Sequence, residues 1–142
     1  MPPLLSERTQ TAQVVLAGVV PFLFGAVLGV VLGISAAAYW ALSALAALGA
    51  VLAGLEHPDG RSGARRGLLA GALFALGLLI AHAIAGTDAE VSLGSFPPLL
   101  IVIDALIGAL LAGIGGRISG SRRGAEARPP GSSPSERRTP PR

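Results

Sequence analysis

Apolar residues in this chain come in long unbroken blocks, without the spaced stripe of a soluble helix or the alternation of a half-exposed strand. The first block, between Gln13 and Glu56, contains no charge. As one helix it would extend about 63 Å at ~1.5 Å per residue, twice the ~30 Å hydrocarbon core of a bilayer. It must therefore fold back. Gly33-Ile34-Ser35 is the best break, with Gly33 closing one helix and the Ser35 hydroxyl capping the next. Pro21 removes a backbone donor inside the first helix and is expected to kink it. A second uncharged block runs from Gly67 to Thr87, and a third from Phe96-Pro97-Pro98 to Arg117, interrupted only by Asp104. The pattern predicts an all-α polytopic membrane protein of four transmembrane helices in two hairpins, with spans near 14–33, 36–55, 67–87 and 97–116.

The few charges give that pattern a direction. Arg8 precedes the first span, Arg61, Arg65 and Arg66 lie between the second and third, and seven arginines follow the fourth. The two connections on the other side hold no arginine. By the positive-inside rule both termini are cytoplasmic in a cell (plasma) membrane. Tyr39 and Trp40 then stand at the outer end of the second span, where interfacial aromatics collect. A cleaved signal peptide ending at Ala36-Ala37-Ala38 is the competing reading of the N-terminus. The apolar run before it exceeds the ~7–15 residues of a signal core, and Glu7 weakens its positive flank, so an uncleaved span is expected.

From Arg117 onward the chain holds seven Arg, five Ser and five Pro with no apolar face. Ordering such a segment gains too little to offset its entropy. The chain divides into a short N-terminus (1–12), a bundle (13–118) and a tail expected to be disordered (119–142). Arg61, Arg65, Arg66, Arg117, Arg122 and Arg123 flank the spans as candidates for anionic lipid headgroups, at roughly 1 kcal/mol each, and for the tail arginines a solvated stop-transfer flank is the plainer reading.

Composition agrees with the pattern: 51% hydrophobic, 13% charged, mean hydropathy +0.66. A soluble domain carries about 25% charged residues. The absence of cysteine excludes disulfides, thiolate metal sites and cysteine nucleophiles. Lysine and asparagine are also absent, the usage of a GC-rich genome, so the isoelectric point near 11.0 is no argument for nucleic-acid binding.

Each span carries small residues at four-residue spacing, the feature through which helices approach closely in lipid. These are Gly25, Gly29 and Gly33; Ala46, Ala50 and Gly54; Gly67, Gly71 and Ala75; and Gly108, Ala112 and Gly116. Ala50–Leu55 also resembles Ala109–Ile114, each followed by Gly-Arg and then Arg-Arg-Gly, at nearly equal offsets along the chain. Coincidence among Ala, Leu and Gly is the plainer account, and a duplicated hairpin the alternative.

Asp104 alone among eight acidic residues falls within a span. A charge there costs about 2.5–3.5 kcal/mol, so it is expected to face the bundle and find a partner or water. His82, at a similar depth from the outer end of the third span, is the candidate partner, and the two together are a candidate proton or cation site. The purely structural alternative is a buried hydrogen bond that fixes packing. Glu56, His57 and Asp59 offer one imidazole and two carboxylates, too little for a metal site. No HExxH, GxSxG or GxxxxGK occurs, and no cofactor, metal or catalytic residue is expected.

The segment Ala53-Gly54-Leu55-Glu56 through Gly60-Arg61, then Arg65-Arg66-Gly67-Leu68-Leu69-Ala70-Gly71, resembles the central hairpin of small four-span membrane proteins of GC-rich prokaryotes. The resemblance implies four helices and a membrane location, and carries over no ligand or catalytic residue. The leading expectation is a non-enzymatic integral membrane protein that packs with itself or a membrane partner in the lipid bilayer, without nucleic acid. The alternative is a small oligomeric transporter or channel using Asp104 and His82.

Overall fold

The computed structural model describes residues 9–126, and within them it is all-helical. The first rod, α1, covers residues 10–32: Gln10–Val14 and Val20–Leu32 are α-helical, and Val15–Val19 between them is π-helical. Then follow α2 (Ala36–Leu55), α3 (Gly60–Ala85) and α4 (Leu99–Glu126). All four are long and apolar enough to cross a membrane.

Local chemistry sets the helix ends. Thr9 caps α1 by accepting from the Ala12 N–H, and Ser35 caps α2 by accepting from the Ala38 N–H at 3.3 Å. Asp59 caps α3, accepting from the Arg61 and Ser62 N–H groups at 2.8 and 2.9 Å. Those bonds, that from Ser62 foremost, hold its carboxyl below the ordinary 3.8. Gly86 ends α3 at φ +64°, a left-handed turn that favours glycine.

Two expected boundaries are corrected. α3 begins at Gly60, well before the expected Gly67, so Arg61, Arg65 and Arg66 occupy its first two turns and do not form a loop. The Asp59 cap sets that start. α4 continues through 119–126, the first part of the segment expected to be disordered. Its extension packs: Ser119 is 6% exposed, and Gly116 and Gly120 lie against the Asp59 and Pro58 carbonyls of the α2–α3 connection. Contact with that connection supplies what the tail's own composition lacks. The remainder of the expected tail, 127–142, and the N-terminus through residue 8 lie outside the described residues.

α3 is the centre of the bundle. Its contact with α4 is the most extensive, followed by α1 with α3 and α2 with α4. Leu28, Leu32 and Leu78 form the buried cluster near the end opposite the arginines, and Val91 and Leu93 of the α3–α4 connection close over it. The Glu90 N–H donates to the Leu32 carbonyl at 3.0 Å, fastening that connection to the end of α1.

Candidate functional site

The helices meet backbone to backbone where the sequence places small residues. A Cβ at Gly63, Gly67 or Gly71 would strike the carbonyl of Ala112, Gly108 or Asp104 respectively, and one at Gly116 would strike that of Asp59. Gly108 lies reciprocally on the Gly67 carbonyl. This sets an antiparallel α3–α4 register in steps of one turn. Gly25 and Gly29 lie in the same way on the Phe74 and Leu78 carbonyls of α3, and Gly54 on that of Ala112. Gly33 abuts the Thr87 side chain instead of a helix. Gly77 and Gly115 make equally close contacts, with Phe22 and Val51, and belong to none of the expected ridges. The glycine ridges of α1, α3 and α4 are thus consumed inside one chain and are not left open for a partner.

That register separates the expected pair. Asp104 stands opposite Gly71, about three turns before His82 along α3. At ~1.5 Å per residue the two levels are about 16 Å apart, beyond hydrogen-bond reach. Equal depths were expected because both spans were measured from a common outer end. In fact α3 rises about two turns past the start of α4, and the connection covers the step. His82 lies beside Gly29 of α1, half-buried, and its buried Nδ1 has no hydrogen-bond partner among the described residues.

Asp104 has different neighbours. α2 and α4 run parallel, with Val51 and Gly54 against Ala112 and Gly115. Following both helices back from that contact brings half-buried Asp104 level with Ser43. Tyr39 stands one turn above Ser43 on the same helix, and Ser43 and Asp104 both lie in its vicinity. The ring also packs against the leucine cluster and edge-on to Trp40, 5.4 Å between centroids. Sequence reasoning missed Tyr39 and Ser43 as neighbours of Asp104 because that relation depends on the offset between two helices. No spacing in the sequence signals that offset.

The arginines divide. Arg61, Arg65, Arg117 and Arg122 are exposed, and Arg117 lies along Gly60. Arg123 is half-buried with its Nε enclosed. Arg66 departs from the expected headgroup role: it turns toward α1 and donates to the Leu16 carbonyl at 2.8 Å. The π-helical turn explains the target. The Val20 N–H is given to the Val15 carbonyl. In that register Leu16 would be served by residue 21, a proline with no N–H. Arg66 fills the acceptor that Pro21 leaves unmet.

At the same end, His57 is 9% exposed and its Nδ1 sits 3.1 Å from the Ala53 carbonyl. Among the described residues no three His, Asp or Glu side chains converge as metal ligands would. No protein family, curated protein or solved structure matches this chain, so the resemblance of its central hairpin adds no family assignment to the geometry.

Proposed function

We propose that this chain is a non-enzymatic integral membrane protein whose bundle associates with a second copy through α2. The observation that carries this reading is the state of α2: of its twenty residues only Gly54 is buried. Trp40, Leu45, Leu48 and Leu52 are 55–63% exposed. A Cβ at Gly49 would meet nothing within 4 Å, so no contact among the described residues requires a glycine there. Large and small side chains on one face can complement a two-fold copy of themselves. The arginine distribution supports a plasma-membrane orientation with both termini in the cytoplasm. Mass determination in mild detergent tests the association. A particle of twice the chain's 14.2 kDa supports it, whereas a monomer, or a complex with a different protein, contradicts it.

A second reading is favoured by one observation, the polar group of Tyr39, Ser43 and Asp104 within the spans. In this reading the protein is a small transporter or channel in which Asp104 binds a proton or cation, with Tyr39 and Ser43 as partners in place of His82. Asp104→Asn in proteoliposomes is then expected to lower proton or cation flux at least about tenfold, on the scale of removing a positioned ionisable group. Equal flux through both proteins contradicts it.

A further inference from the structure

The α3–α4 connection, residues 86–98, lies over the leucine cluster at the end opposite the arginines. It fills the step that α4 leaves by starting about two turns below the end of α3. Its side chains divide in two. Val91 and Leu93 are half-buried, packed against Leu28, Leu32 and Leu78, and every other residue of the connection is exposed. Among the described residues one hydrogen bond ties it to another helix, from the Glu90 N–H to the Leu32 carbonyl.

The stretch 87–93 is bracketed by two glycines at positive φ, Gly86 at +64° and Gly94 at +78°. A Cβ at either would meet nothing within 4 Å, so both stand in open space. Such turns let a segment pivot without displacing its neighbours. Two apolar side chains and one backbone bond are a weak hold, and segments held so lightly open before the rest of a fold does.

The polar group of the spans meets this connection at the same cluster. Tyr39 packs against those three leucines from α2, as Val91 and Leu93 do from above. Ser43 follows one turn further along α2, with Asp104 nearby. Lifting Val91 and Leu93 therefore uncovers the cluster on which Tyr39 rests, one turn from Ser43.

We propose that residues 87–93 form a lid that pivots on Gly86 and Gly94 and admits water, and with it a proton or small cation, to the group of Tyr39, Ser43 and Asp104. The inference rests on the second reading above. A carboxylate within a span needs water in the state that loads it. Asp88 and Glu90, both exposed on the lid, place negative charge where a cation would enter.

The test uses the full chain, which has no native cysteine, with Ser43→Cys as the reporter in mild detergent and a cationic methanethiosulfonate as the probe. Slow modification is expected with the native lid. Val91→Ser with Leu93→Ser removes the lid's apolar hold and is expected to speed modification roughly tenfold. Ser119→Cys, at a site 6% exposed at the opposite end, is expected to keep its slow rate in the same lid variant, which a general loosening of the bundle would not allow. Equal rates at Ser43→Cys with either lid, or equal acceleration at Ser119→Cys, overturn the lid. Loss of flux in Asp104→Asn would still support the second reading in that case. Equal flux through native and Asp104→Asn proteins overturns that reading, and the lid's role with it.

Discussion

Gly67→Ala is expected to destabilise the bundle by about 1–3 kcal/mol, the cost of overpacking a close contact, and Gly67→Ile by more. The added methyl group would meet the Gly108 carbonyl and lie 2.7 Å from the Ala112 Cβ. Neither can turn aside as a flexible side chain could, because one is backbone and the other is fixed to it. Relief requires α3 and α4 to separate, and separation loosens the neighbouring steps at Gly63 and Gly71 too. Gly124→Ala, away from the α2 face, is the control. Nothing lies within 4 Å of its Cβ, so the same change is expected to be neutral or to stabilise by up to about 1 kcal/mol through helix propensity. Denaturant titration in detergent, followed by circular dichroism, measures both. Equal effects at the two positions would mean that α3 and α4 do not meet through Gly67.

Arg66→Met is expected to cost about 1–3 kcal/mol, because it leaves the Leu16 carbonyl without a donor in an apolar setting. The partner substitution identifies the cause. Pro21→Ala restores an N–H in the π register, so in that background Arg66→Met is expected to cost about 1 kcal/mol less. The same titration on the wild type, the two single variants and the double variant yields the coupling. If Arg66 served only to meet headgroups, the two changes would add independently.

Much of the fold was legible in sequence because long uncharged apolar runs, and the breaks between them, set the lengths of the helices. The uncharged blocks placed four helices, and Ser35 marked the turn between the first two. The limits of α3 and α4 were less legible because arginine was read as a sign of loop. In the structure the Asp59 cap starts α3 before its arginines, and contact with Pro58 and Asp59 carries α4 beyond Arg117. The glycine ridges identified close contacts without identifying which helices make them.

The candidate site was half legible. The isolation of Asp104 was visible in sequence, but its partner was sought at equal distance from a common outer end, and α3 and α4 do not share one. Register decided instead: Gly71 opposes Asp104 on one side, and Ser43 with Tyr39 stands near it on the other. Arg66 shows the same limit. Its charge was visible, but its target depends on a π-helical turn that Pro21 favours and that no spacing rule announces.

Association through the open face of α2 is the central claim, and the absence of native cysteine makes a direct measurement practicable. Gly49→Cys places one thiol in that face, and mild oxidation of native membranes follows. A disulfide-linked dimer is expected for this variant and none for Gly67→Cys, whose position lies between α3 and α4. A Gly49→Cys protein that remains monomeric on a non-reducing gel would contradict it.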